Sequence, residues 1–200
     1  MGTIVDRQNE ADLLPIDHYR SYLLLLAHAQ IGRRVRTKVD ASDVVQQTLL
    51  RAHQARDEFK GRESAELVGW LRRILARTIA NAIRDLHRAK RNLAMERSLE
   101  AEVEESSSRL ACWLADPRSG PGSRVAHAEQ LVLIADALIA LPEAQREAIV
   151  LKHCRGMGLA EVAEQMGRSH ASVASLLRRG LQQLREKLNG AGESPKQILE

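Results

Sequence analysis

Aromatic side chains are almost missing: one phenylalanine, two tryptophans and two tyrosines are spread over 200 residues. A core must then be assembled from Leu, Ile, Val and Ala, a composition that favours packed helices over sheets. Nowhere do several β-branched residues alternate with polar ones. Cysteine is equally scarce. Cys112 and Cys154 stand far apart and outside any CxxC or Cys/His ligand spacing, which argues against a disulfide framework and against a zinc site and makes reduced thiols the expectation. Long apolar runs are also lacking. The stretch from Leu23 to Ala27 is far too short to span a bilayer and no basic segment precedes it, so no membrane partner and a cytoplasmic location are expected.

Catalytic signatures are missing as well. The seven histidines are scattered, and HExxH, GxxxxGK[ST] and a nucleophile elbow are all absent. Acidic residues gather in the middle of the chain instead of forming the clusters that a metal-dependent nuclease needs. No enzymatic activity, no cofactor and no metal are therefore expected.

What the chain does have is segregated charge. Its net charge is +4, yet residues 31–94 carry 15 Lys and Arg against 7 Asp and Glu, residues 95–137 carry 4 against 8, and residues 138–190 carry 8 against 5. Two basic blocks flank an acidic spacer. The pattern suits two nucleic-acid-facing modules on one tether, although a basic surface by itself more often means solubility.

The most specific local pattern lies at 159–178, LAEVAEQMGRSHASVASLLR, which fits a helix-turn-helix. Val162, Ala163, Met166, Val173 and Leu176 fall where two short crossing helices need apolar or small side chains, and Gly167 falls where the turn needs positive φ. Ser169 is a natural N-cap for the second helix, which would turn Ser172, Ser175, Arg178 and Arg179 outward toward a groove. Arg168 departs from the apolar residue that many such turns carry. An ordinary helical hairpin inside a bundle is the bland alternative.

Upstream, periodicity predicts a helix from after Asp17 through YRSYLLLLAHAQ, with Tyr19, Leu23, Leu26 and Ala27 on one face. A second runs from near Ser42 to about Arg56 with a stripe of Val45, Leu49 and Ala52. After a loop at Gly61 and Ser64, a third runs from about Ala65 to Arg88. Its apolar face is Leu67, Leu71, Ile74, Leu75, Thr78, Ile79, Ala82 and Leu86, while Arg73, Arg77, Arg84, Arg88 and Arg91 fall within an arc of roughly 60° on the other side. Such a ridge with no carboxylate in it suits phosphate, though solvated faces can look the same. The acidic LEAEVEESSSRL and DPRSGPGS then read as a partly disordered linker holding one helical stretch, with Trp113 available to dock on a neighbouring domain or a partner. Order returns at LVLIADALIAL, where Leu131, Ile134, Leu138 and Leu141 share a face, with Pro142 opening the next helix and a long last helix running to about Asn189. The expected fold is all-α: two small helical domains at 15–92 and 128–190, a flexible acidic linker at 93–127, and a disordered tail at 191–200.

The succession VDASDVVQQTLLRAH, FKGRESAELVGWLRRILARTIANAIRD and LIALPEAQREAIVLKHCRGMGLAEVAEQMGRSHASVASLLRRGLQQLREKL resembles the bacterial RNA polymerase sigma factors of the extracytoplasmic-function group, from about Tyr19 to Leu188. The resemblance implies a first, region-2-like domain that docks on core RNA polymerase and opens the −10 element, and a second, region-4-like domain that reads the −35 element. It places polymerase docking on Asp43, Val44, Gln46, Gln47 and Leu49, where an exposed acid and two amides beside an apolar stripe have the anatomy of an interface. It places −10 contacts on Phe59, Lys60, Arg62, Arg73, Arg77, Asn81, Arg84 and Arg88, and −35 contacts on Ser169, Ser172, Ala174, Ser175, Arg178 and Arg179. Two departures stand out: Arg77 occupies a position that often holds Asn in this family, and Ala174 one that is often basic. The resemblance makes promoter DNA and core RNA polymerase the expected partners and allows an anti-sigma factor as a third. A helix-turn-helix regulator that is not a polymerase subunit is the alternative, and it leaves the arginine ridge without a purpose.

Overall fold

A computed structural model of the chain describes residues 15–31, 38–87, 93–114 and 124–190. The described residues form helices without strands: α1 (Arg20–Gln30), α2 (Ala41–Gln54), α3 (Ser64–His87), α4 (Leu93–Leu114), α5 (Arg124–Ile139), α6 (Glu143–Ile149), α7 (Leu159–Met166) and α8 (His170–Gly190). A 3₁₀ turn, Ile16–Tyr19, leads into α1, and a π turn, Val150–Cys154, continues α6. The expected tail and the linker residues 115–123 lie outside the described residues.

The first helix is more deeply placed than its amphipathic pattern suggests. Besides Tyr19, Leu23, Leu26 and Ala27, the side chains of Tyr22, Leu25 and Ala29 are buried, because α2 covers one flank while α4, α5 and the π turn cover the other. A helix surrounded in this way needs apolar residues nearly all round, which the run LLLLA supplies. Truncating Leu26 to Ala would cost about 2–5 kcal/mol by opening a cavity there.

Helix α2 starts where Asp40 caps it, its carboxylate accepting from the Ser42 N–H at 2.6 Å. Its buried stripe of Val44, Val45, Leu49 and Ala52 lies against α1 and α3. Helix α3 buries Leu67, Leu71, Leu75 and Ile79 as expected, and also Val68, Ala76 and Ala80, since α2 and α4 press on it from two sides.

The acidic spacer departs most from its composition. Over 93–114 it is a 22-residue helix with Leu99, Val103 and Leu110 buried together with the small Ser106 and Ser107. That stripe seats α4 on α3, α1 and the π turn, so the one helical stretch expected in the linker is a packed element. The helix α5 begins at Arg124, inside the expected linker, and Ile134, Ala135 and Leu138 join the core of the first half through α1. The helix-turn-helix keeps a small core of its own: Ala148, Leu151, Val162, Ala163, Met166, Val173 and Leu176.

Candidate nucleic-acid interface

At the N-terminus of α3, the Glu66 carboxylate reaches back to accept from the backbone N–H groups of Arg62 at 2.7 Å and Glu63 at 3.1 Å. These bonds favour the ionised form and hold the carboxyl below its ordinary range. They also fix the preceding loop. Gly61 lies so close under the Phe59 ring that a Cβ there would collide with it, and Phe59 in turn packs on Trp70, centroids 5.1 Å apart and planes 36° apart. Beside this pair opens a cavity of about 500 Å³ lined by Phe59, Lys60, Trp70 and Arg73 and by the carboxylate residues Glu58 and Glu66, with Glu104 entering from α4. Trp70 is half-buried: it anchors to the core and still lends a surface to the cavity.

Three of the expected contact residues, Phe59, Lys60 and Arg73, thus meet at one pocket, with Arg62 exposed in the adjoining turn. Arg77 is exposed further along the helix, 3.4 Å from Glu100. Arg84 is partly buried, 3.9 Å from Asp85. Asn81 goes elsewhere, to a groove of about 680 Å³ between α2 and α3 that it shares with Asp43, Gln47, Arg51 and Asp85. Arg88 and Arg91 lie outside the described residues.

On α2, Asp43, Gln46 and Gln47 are exposed, but Val44 and Leu49 are only 4% and 5% exposed. Their place at the core-facing stripe leaves them supporting the polar face from beneath. The apolar member that this face offers to solvent is Leu50, 49% exposed, a residue that the stripe pattern passed over. A position one residue off the buried stripe, apolar among Gln, Arg and His, was the available signal.

The turn and caps of the helix-turn-helix are built as the sequence predicts. Gly167 ends α7 at φ +63°, a left-handed conformation that costs a residue with a Cβ but not glycine. Ser169 then caps α8, its Oγ accepting from the Ser172 N–H at 3.2 Å. Glu161 accepts from the Gly158 N–H at 2.6 Å and fixes the start of α7. Of the expected groove-facing residues, Ser169, Ala174, Arg178 and Arg179 are exposed, while Ser172 and Ser175 are half-buried. His170 is exposed at the start of α8. Arg179 Nε lies 3.4 Å from the Ser175 carbonyl, and neither it nor Arg178 makes an ion pair among the described residues.

Comparison with known proteins brings the two sites under one heading. Residues 18–89 match the model of sigma-70 region 2 and residues 131–184 that of sigma-70 region 4. The RNA polymerase sigma-E factor of Streptomyces avermitilis is 30% identical over 156 residues, covering 78% of this chain and 75% of the relative. The chain belongs to the sigma-70 family, in its extracytoplasmic-function group. The RNA polymerase sigma factor CnrH of Cupriavidus metallidurans is 31% identical over 156 residues, covering 78% of the chain and 77% of the relative. The ECF RNA polymerase sigma factor SigG of Mycobacterium tuberculosis is 34% identical over 171 residues, and there the chain spans only 44% of the relative's length.

In this sigma-70 chain the Phe59–Trp70 pocket and the α2 face both fall inside the region 2 match, and the helix-turn-helix falls inside the region 4 match. Helix α4 falls between the two matches. Its Glu104, which lines the pocket, and its Trp113, which stacks on His153, belong to neither family region. No helix among the described residues is long and apolar enough to cross a membrane.

Proposed function

We propose that the chain is a promoter-recognition subunit that docks on core RNA polymerase and directs transcription initiation, with residues 15–92 acting at the −10 element and 128–190 at the −35 element. The observation that carries this role is the pairing, on one helical chain, of an aromatic pocket that has Lys60 and Arg73 in its lining with a helix-turn-helix whose reading helix has Arg178 and Arg179 open to solvent. Each answers a different physical demand. Holding a melted strand needs a base-sized cavity with an aromatic surface and cations for phosphates, which Phe59, Trp70, Lys60 and Arg73 supply, with Arg62 and Arg77 nearby. Reading a duplex needs exposed donors on a helix that fits the major groove, which Arg178 and Arg179 supply, with bidentate bonds to guanine as their strongest mode. The Ala174 methyl suits a thymine methyl, and Ser169, Ser172 and Ser175 suit phosphate or base edges.

Asp43, Gln46, Gln47 and the exposed Leu50 form the face offered to the polymerase, a polar rim around one apolar residue, with Val44 and Leu49 holding it in shape. The polymerase supplies the catalysis and this chain supplies the address. The test is transcription by bacterial core polymerase on a library of random promoters, with and without the purified chain. Enrichment of two short motifs at fixed spacing is expected. Specific duplex binding without any association with core polymerase would instead identify a free-standing regulator.

A further inference from the structure

The carboxylates of α4 are sorted by flank. Glu100 and Glu104, one helical turn apart, face α3, while Glu102 faces the opposite side. Glu104 clasps Arg72 with both oxygens, at 2.8 Å to Nε and 3.0 Å to Nη2, the fork geometry that fixes direction as well as charge. The remaining Arg72 nitrogen, Nη1, donates to Ser107 Oγ at 3.0 Å and Tyr22 OH at 3.3 Å, and these two hydroxyls lie 2.8 Å from each other. Arg72 is therefore a fixed clasp. The Glu104 carboxylate that it holds also lines the Phe59–Trp70 cavity. Four residues earlier, Glu100 lies on Arg77, which is 63% exposed and otherwise open to phosphate.

The other flank ties α4 to the second half. Arg155, just past the π turn, donates to Glu102 at 3.1 Å and to Gln30 Oε1 at 2.7 Å, and Gln30 donates onward to Ser106 Oγ at 2.9 Å. Arg109 donates to the Arg155 carbonyl. One helix thus adds a carboxylate to the pocket lining beside Glu58 and Glu66, covers an exposed arginine nearby, and joins both halves through polar bonds.

We infer that α4 is a built-in competitor for the promoter strand: Glu104 at the cavity rim and Glu100 on Arg77 stand where phosphates would lie, and must move away before a single strand can enter. This rests on the strand-binding role proposed above. The seat is apolar at Leu99, Val103 and Leu110, but Glu104 and Arg77 are each more than half exposed, and the single Arg77–Glu100 contact is of the kind worth little. Such contacts hold a closed form that a polyanion can open. Phosphate brought near Glu104 is repelled, and phosphate brought to Arg77 competes with Glu100 directly.

The test is the affinity of the full chain, without polymerase, for a fluorescently labelled single-stranded oligonucleotide, read by anisotropy. Glu100→Gln and Glu104→Gln together should tighten binding about tenfold, the scale of two partly exposed charge pairs, and steepen its salt dependence. Glu105→Gln, whose carboxylate faces Arg109 and not α3, should leave it unchanged. An unchanged affinity in the double variant overturns the inference. Should Glu104→Gln fail to fold, Glu100→Gln alone decides, because its pair is exposed: tighter binding supports the competitor and equal binding refutes it. A wild-type chain that programs core polymerase while the variants bind like it refutes only the competitor. Variants that bind strand more tightly, from a chain that never programs polymerase, refute only the promoter role.

Discussion

The indole of Trp113 stacks on the imidazole of His153, centroids 4.2 Å apart and planes 19° apart, so the end of α4 is fastened to the π turn by two rings. Burial and the neighbouring Lys152 push the His153 pKa down from 6.5 to about 4. The folded chain holds this ring neutral where the unfolded chain would protonate it. Its contribution is therefore complete above pH 6.5 and is lost progressively as pH falls toward 4. Denaturant midpoints measured at pH 7.5, 5.5 and 4.5 should fall more steeply for the wild type than for His153→Gln. Parallel curves would mean that the imidazole titrates normally.

The Arg72 clasp makes a second prediction. Replacing it by Met keeps the bulk but removes the charged donor to Tyr22 OH and Ser107 Oγ, which keep only their bond to each other, and leaves Glu104 without its clasp. The loss should be about 1–3 kcal/mol in chemical denaturation, the scale of hydrogen bonds made by a charged donor. Lys at the same position should recover only part of it, because an ammonium cannot span both Glu104 oxygens and the two hydroxyls in one plane.

Gly61→Ala is expected to disturb the pocket and spare the fold. The added methyl must push Phe59 off Trp70, since the ring occupies the place of that Cβ. Strand affinity should fall while the melting temperature changes little, and Trp70 emission should shift. Unchanged affinity would place the bound base away from these rings.

The cysteines give an internal check on packing. Cys154 is buried and its thiol is pushed up to about 12 by loss of solvent, while Cys112 is exposed on α4. At pH 8 a thiol reagent should modify one cysteine promptly and the second only at the rate of unfolding. Prompt modification of both would mean that α4 and the π turn separate readily.

The helix-turn-helix was legible residue by residue because its rules are local. Gly167 takes the positive φ, Ser169 caps, and the small or apolar positions Val162, Ala163, Met166, Val173 and Leu176 are all buried. The pocket was legible in part. Phe59, Lys60 and Arg73 converge there, but Asn81 goes to the α2–α3 groove because helix phase separates it from Arg73. What composition concealed was α4. Its three large buried residues, Leu99, Val103 and Leu110, are diluted by Glu and Ser, and nothing local reveals that Arg72, Arg77 and Arg155 wait to receive those carboxylates. The depth of α1 was hidden for the same reason. A helix covered on two sides depends on partners that lie more than a hundred residues later, in α5 and the π turn.

The most direct measurement is selection from a random promoter library by core polymerase programmed with the wild type, Arg178→Ala and Phe59→Ala in parallel. Separate reading surfaces predict that Arg178→Ala relaxes the upstream motif and leaves the downstream one, whereas Phe59→Ala weakens the downstream motif and strand opening and leaves the upstream one. Both substitutions eroding the same motif, or neither altering any, would contradict two independent promoter contacts on this chain.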